Sequence, residues 1–219
     1  MSDIILEIYN SEEPFFSNYK KKLKGLNEVI NSHNTHFEGC LFYKCIDGGI
    51  KEDLEPRFLL KRKVFSIFAK NADVMVEIGV NGGHSTLLAL ESNLNLKYYG
   101  IDVCCHSYAT AAMLFLKEHY ADRTTFIKGD SQKVLPKLFD LHPELKDKQI
   151  AWVIDGGHQI EIASSDLKNI IKLGKPGEFI LFDDYASNSS FELMFFNEVL
   201  NGTISIEKEF KDQAVLKIK

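Results

Sequence analysis

The stretch Val74–Ser85, VMVEIGVNGGHS, decides the fold. Val74–Gly79 is a short apolar run that stops at a glycine, which reads as a buried strand. Asn81-Gly82-Gly83 then turns the chain, and Ser85–Ser92 continues in a helical pattern. Strand, glycine turn and helix make the first half of a βαβ unit. The same rhythm runs on toward the C-terminus. Lys97–Asp102 (KYYGID) is a strand and His106–Tyr120 a helix. Thr124–Lys128 is a strand, followed by a helix over Ser131–Asp140. Ile150–Asp155 (IAWVID) is a strand, and Ile160–Leu173 is an amphipathic helix. Glu178–Asp183 (EFILFD) is a strand and Ser190–Leu200 a helix. Alternation of this kind predicts right-handed βαβ units and a parallel sheet. Thr203–Phe210 and Gln213–Ile218 differ, because they alternate apolar and polar residues around Lys211-Asp212. They read as a closing antiparallel hairpin. The expected fold is α/β, a doubly wound, mostly parallel seven-stranded sheet ending in that hairpin.

Upstream of Val74 the rhythm is absent. Glu12–Asn31 reads as a helix whose basic run, Lys20–Lys22 with Lys24, is a solvated face. Thr35–Gly49 reads as a strand and loop, and Pro56–Lys70 as a second amphipathic helix. Residues 1–56 are expected to form a helical cap that dimerises the chain or selects substrate, and residues 57–219 the ligand-binding domain. The 219 residues suffice for one domain with an appendage. With 26 basic and 31 acidic residues the chain carries a net charge of −5, which argues against a phosphate-driven nucleic-acid binder. No apolar run reaches the ~18 residues of a membrane span. The N-terminal MSDIILEIYNSEEP lacks the basic and apolar regions of a signal peptide. Four cysteines without a C-x-x-C pair fit free thiols in a reducing compartment, so a cytoplasmic location is expected. A homodimer is the base-rate expectation for assembly.

Open α/β sheets bind ligands outside the carboxyl ends of their strands, so the polar residues at those ends are the candidate site. The first strand ends in Glu77-Ile-Gly79-Val-Asn81-Gly82-Gly83-His84-Ser85. Glycines there let backbone approach a ligand, and the following helix offers unpaired N–H groups. The spacing is not the G-x-G-x-x-G of a dinucleotide site, and Glu77 suits a cationic ligand better than a pyrophosphate. Asp102 ends the second strand, 25 residues after Glu77, where a carboxylate can accept two ribose hydroxyls. Gly129-Asp130-Ser131-Gln132 follows the third strand and serves either an adenine edge or as a helix cap. The fourth strand ends in Asp155-Gly156-Gly157-His158 and the fifth in Asp183-Asp184-Tyr185. Asp155, Asp183 and Asp184 are expected to converge. Clustered carboxylates repel unless a cation neutralises them, and hard oxygen donors suit Mg²⁺, Mn²⁺ or Ca²⁺. The alternative makes them strand-end caps and turn formers.

Together these residues resemble the class I S-adenosylmethionine-dependent methyltransferases over about Val74–Lys219. They look most like the metal-dependent O-methyltransferase branch, with its catechol-type and sugar-modifying enzymes. Glu77-x-Gly79-x-x-x-Gly83-x-Ser85 is similar to that branch's cofactor loop, E-x-G-x-x-x-G-x-S. The resemblance implies a Rossmann-like fold with S-adenosyl-L-methionine and a divalent metal, Mg²⁺ first, as cofactors. It implies cofactor binding by Glu77, Gly79, Asn81, Gly83, Ser85, Asp102, Asp130, Ser131 and Gln132. It implies metal ligation by Asp155, Asp183 and Asp184, and catalysis by Asp155 and His158. His158 stands three residues beyond the first ligand, where the branch carries its general base. Catechol-type members usually have Lys at that place.

The implied reaction is an in-line displacement on a sulfonium methyl by a hydroxyl of a small sugar- or catechol-like molecule. Metal coordination acidifies and orients such a hydroxyl, and an imidazole with an ordinary pKa near ~6.5 can take its proton. His158 has the simpler alternative of capping the next helix. His84 either meets the cofactor's carboxylate or packs. His33 and His36 read as surface residues and Trp152 as core. Cys104 and Cys105 read as lining for the adenine pocket, and Tyr185 as a substrate neighbour. Two other functions share this architecture: a non-catalytic S-adenosylmethionine-binding module and a nucleotide-dependent oxidoreductase. Six of the 31 acids fall in the candidate site, leaving 25 against 26 bases. The net negative charge then describes a pocket for cations rather than an acidic surface.

Overall fold

In the computed structural model, which describes residues 17–38, 41–43, 49–50, 54–187 and 189–219, the sheet starts from its middle. Its strands are β1 Val74–Ile78, β2 Lys97–Asp102, β3 Thr124–Lys128, β4 Ile150–Ile154, β5 Phe179–Asp183, β6 Ile204–Glu209 and β7 Gln213–Ile218. They lie in the order β3-β2-β1-β4-β5-β7-β6. The chain runs outward from β1 to β3, then returns to place β4 on the other side of β1. β1 pairs parallel with β4, and β4 with β5. β7 inserts antiparallel between β5 and β6. The expected doubly wound sheet with a C-terminal hairpin is therefore observed. Every residue of β1 is buried, as a strand covered on both faces requires.

The helices are α1 Ser17–Asn31, α2 Leu59–Lys70, α3 His84–Ser92, α4 Ala109–His119, α5 Ser131–Val134, α6 Leu138–Leu141, α7 Ile160–Leu173 and α8 Ser190–Leu200. The spans of α7 and α8 agree with the sequence reading. The expected helix over Ser131–Asp140 is instead broken. Pro136 sits in a 3₁₀ turn, Leu135–Lys137, between α5 and α6. Proline lacks the N–H and clashes with the preceding turn, so a continuous helix cannot pass it. α4 starts at Ala109 rather than His106. Pro56–Phe58 is a 3₁₀ turn ahead of α2, with Glu55 as its cap. Of the strand expected within Thr35–Gly49, the described residues show only an isolated bridge at Phe37. Residues 39–40 and 44–48 of that stretch, with Cys40 and Cys45, lie outside the described residues, as do residues 1–16 of the expected cap. Among the described residues no helix is long and apolar enough to cross a membrane.

The chain packs as two compact units. One takes the described residues up to Asn71 with Val80–Tyr98 and Cys104–Phe126. The other takes Ala72–Gly79, Tyr99–Val103 and Ile127–Lys219. The first unit is built on α1, α2, α3 and α4. Its buried residues include Tyr19, Leu26, Phe37, Phe42, Ile67, Leu87 and Leu116. The second has a core of alternate strand residues, Val76, Ile78, Trp152, Ile154, Ile180, Phe182 and Leu216. Ala163, Leu167 and Ile170 of α7 and Phe191 and Phe195 of α8 cover them. Glu178 is the polar anchor of this core. Its carboxylate accepts from the Ile150 N–H at 2.9 Å, Trp152 Nε1 at 2.7 Å and the Lys175 N–H at 3.1 Å. Trp152 is thus a core residue, as expected.

Candidate active site

Within the second unit the switch in strand order brings the carboxyl ends of β1 and β4 side by side, the place where such sheets bind ligands. Gly79 follows β1 with φ +89°, and its N–H donates to the Ile101 carbonyl at 2.9 Å. A Cβ at Gly79 would lie 2.1 Å from the Asp155 carbonyl oxygen. Only glycine allows that backbone conformation and that approach together. The Asp155 N–H in turn donates to the Ile78 carbonyl at 2.8 Å, carrying the ladder one step past β4.

Register then fixes which side chains share a face. Ile78 pairs with Ile154, Ile154 with Phe182, and Asp183 with Gln213. One step on, Gly79, Asp155, Asp183 and Gln213 form a row across four strands. Neighbouring strands are ~4.8 Å apart, so Asp155 and Asp183 start from adjacent positions on one face. Asp183 is only 7% exposed. Asp184 follows in the left-handed region with φ +52°, which turns the chain out of β5. Its Oδ2 lies 3.5 Å from His158 Nε2, and both side chains reach solvent. The expected convergence is therefore partial. Asp155 and Asp183 share a row, and Asp184 meets His158. Yet among the described residues no three His, Cys, Asp or Glu side chains are gathered into a ligand sphere. Asp155 and Asp183 fit a hard cation in donor type and in register.

On the other side of β1, the Gly129 N–H donates to the Asp102 carbonyl at 2.8 Å, tying the proposed adenine turn to the end of β2. Asp130 caps α5 by accepting from the Gln132 N–H at 3.1 Å, and its other oxygen lies 3.3 Å from Lys133 Nζ. Gln132 is exposed and Ser131 buried. Glu77 is fully buried in β1.

Beneath this turn the structure places an acid that the sequence reading missed. Asp166 is completely buried on α7. Burial pushes its carboxyl up to about 6, the Ser131 hydroxyl favours the ionised form, and the Asp130 charge opposes it. The signal was present, since Ala163, Asp166, Leu167 and Ile170 form the helix's buried stripe at helical spacing. A raised carboxyl means the folded chain holds this proton more tightly than the unfolded chain. Stability falls as pH rises from the ordinary value of 3.8 to about 6, and the loss is complete above that. The linkage is worth roughly 3 kcal/mol. Asp166→Asn is therefore expected to raise the melting temperature at pH 8 by several degrees, with the gain vanishing near pH 4. A scan at both pH values checks this, and an equal shift at both would contradict it.

The remaining loop residues belong to the first unit. Asn81 has φ +48°, and its Nδ2 donates to the Glu38 carbonyl at 2.5 Å. Gly83 holds φ +73° where α3 begins, and Ser85 is buried in its first turn. His84 is packed within this unit. Its Nε2 lies 2.8 Å from Asn27 Oδ1, its ring is edge-on to Phe37 and Tyr43, and burial lowers its pKa to about 3. Cys104 Sγ lies 3.7 Å from Met113 Sδ, while Cys105 and His36 are exposed. In the second unit, Tyr185 donates to Glu209 Oε1 at 2.7 Å and stacks on Phe195.

Known proteins share this fold. No curated protein matches the chain in sequence. In structure it is similar to CalS11, a TDP-rhamnose 3′-O-methyltransferase of calicheamicin biosynthesis. The identity is 16% over 74% of this chain and 80% of that one, with a TM-score of 0.57. It is similar to TomG of Streptomyces achromogenes, an O-methyltransferase of tomaymycin synthesis solved with S-adenosylmethionine. There the identity is 16% over 90% and 89%, with a TM-score of 0.61. It is also similar to MycE of mycinamycin biosynthesis, solved with Mg, S-adenosylhomocysteine and mycinamycin VI. That match has 14% identity over 72% of this chain and 48% of that one, with a TM-score of 0.52. A methyltransferase domain matches residues 76–185, from within β1 through the acid pair to Tyr185. With half its length covered by that domain, and with its strand ends arranged as described, the chain belongs to the methyltransferase family and is an enzyme of methyl transfer.

Proposed function

We propose that the chain moves the methyl group of S-adenosylmethionine to a hydroxyl of a small polyhydroxylated molecule, sugar- or catechol-like, with a divalent cation, Mg²⁺, held by Asp155, Asp183 and Asp184. The observation that carries this reading is the row Gly79–Asp155–Asp183 at the carboxyl ends of β1, β4 and β5, with His158 3.5 Å from Asp184. The solved structures named above point the same way, through two O-methyltransferase names and one Mg complex.

When bound, the cation would supply positive charge that acidifies and orients the acceptor hydroxyl. The protein's own part is positional and electrostatic. His158 takes the hydroxyl proton on its imidazole. Asp184 then faces an imidazolium and stabilises it, which keeps the proton away from the developing ether oxygen. Glu77, buried in β1, offers negative charge to a sulfonium amino acid. Asp102 accepts ribose hydroxyls at the end of β2. The Asp130–Gln132 turn, fastened to Asp102 through Gly129, frames the adenine edge. Gly79, having no side chain, lets the end of β1 close against the Asp155 backbone.

Calorimetry tests the cofactor half directly. S-adenosylhomocysteine is expected to bind with or without Mg²⁺, and NAD is expected to give no heat. Binding of NAD in place of S-adenosylhomocysteine would overturn the reading in favour of a nucleotide-dependent oxidoreductase.

A further inference from the structure

Gln213 opens β7 directly opposite Asp183 of β5. Cross-strand partners in an antiparallel ladder share a face, with Cβ atoms about 5 Å apart. Their neighbours Phe182 and Ala214 belong to the apolar core on the opposite face of the sheet. Asp183 and Gln213 therefore project together from the face that carries the Asp155 row. Gln213 is 1% exposed, and among the described residues neither its Nε2 nor its Oε1 meets a hydrogen-bond partner. A side-chain amide offers two donors and an acceptor with two lone pairs, and burying them unmet costs more than a made bond returns. The hairpin does not need this side chain. The Lys211-Asp212 turn is closed by backbone, with the Phe210 N–H donating to the Gln213 carbonyl at 2.7 Å. Val215, next on the same face of β7, is the apolar residue such a position ordinarily takes. The amide is thus held beside a carboxylate of the site at a cost to stability.

We propose that Gln213 is a fourth protein group of the cation site, with Oε1 serving as a neutral oxygen donor to the divalent ion, directly or through one of its waters. Three aspartates already bring three negative charges to an ion of two. A further carboxylate would add repulsion, whereas an amide oxygen adds a hard donor without charge. This assignment rests on the cation dependence proposed above.

Mn²⁺, a hard divalent ion with a free-ion paramagnetic signal, is the probe. Titrated into the full-length chain without cofactor or acceptor, it is expected to bind the wild type and to lose measurable affinity in Asp155→Asn. Gln213→Leu is expected to weaken binding about tenfold, the scale of an auxiliary group at a metal site. The same variant is expected to melt at a higher temperature than wild type without metal, because the unmet amide is gone. Gln213→Met, unbranched and nearer in shape, gives the same comparison if the leucine variant folds poorly. Wild-type Mn²⁺ affinity in both Gln213 variants, alongside loss in Asp155→Asn, would overturn the assignment and leave the cation site standing. Equal Mn²⁺ behaviour in wild type and Asp155→Asn would overturn both.

Discussion

Replacing Asp155 by asparagine is expected to reduce the turnover number by more than about 100-fold while leaving S-adenosylhomocysteine affinity within about threefold. Outer groups at metal sites cost ~10–100-fold when removed, and a direct ligand should exceed that. The side chain keeps its shape, so the change is one of charge. Asp155 shares its row with Asp183, one strand away. Removing one of two neighbouring carboxylates relieves repulsion in the metal-free chain, so melting temperature should hold or rise. The proposed cofactor side, at Glu77, Asp102 and the Asp130–Gln132 turn, is untouched. Steady-state kinetics with calorimetry separates the two halves of the site. A variant that turns over normally would remove Asp155 from the mechanism.

Gly79→Ala is expected to act on the same residue through the backbone. Its φ of +89° is poorly open to an L side chain, and the added Cβ would sit 2.1 Å from the Asp155 carbonyl oxygen and 2.8 Å from the Gly156 nitrogen. All these atoms are backbone, so no flexible side chain can yield. The end of β4 must shift, breaking the Asp155 N–H bond to Ile78. A loss of roughly 3–5 kcal/mol follows from strain and a broken ladder together. Chemical denaturation should show an early midpoint, and surviving folded enzyme should show impaired turnover. Wild-type stability in this variant would mean that the close approach of β1 and β4 is not as described.

The sheet was legible because its strands are apolar runs cut short by acids or glycine. Asp155 and Asp183 could be matched from sequence for the same reason: ends of parallel strands lie together. The boundaries of α7 and α8 were plain from amphipathic periodicity and flanking turns. Pro136 is a readable signal against a helix running through Asp140. Asp166 is different. Its burial depends on which face of α7 meets the sheet, so it becomes visible only when the helix phase is applied residue by residue. Gln213 and Glu178 were not readable at all. Gln213 gains meaning from the register of β7 against β5, a pairing that skips β6 in the chain order. Glu178 gains it by reaching across to Ile150 and Trp152 of β4. His84 shows the reverse case. It lies within the cofactor-loop motif, yet its ring is enclosed by Asn27, Phe37 and Tyr43, packing that no local spacing announces.

The central claim is methyl transfer to a hydroxyl through a cation site at the ends of β4 and β5. Its most direct test is formation of S-adenosylhomocysteine by the wild-type chain with a panel of sugar and catechol acceptors, in chelator and after Mg²⁺ is restored. The account predicts turnover on at least one hydroxyl acceptor, a fall of more than about 100-fold in chelator, and full recovery with Mg²⁺. Undiminished turnover in chelator would contradict it.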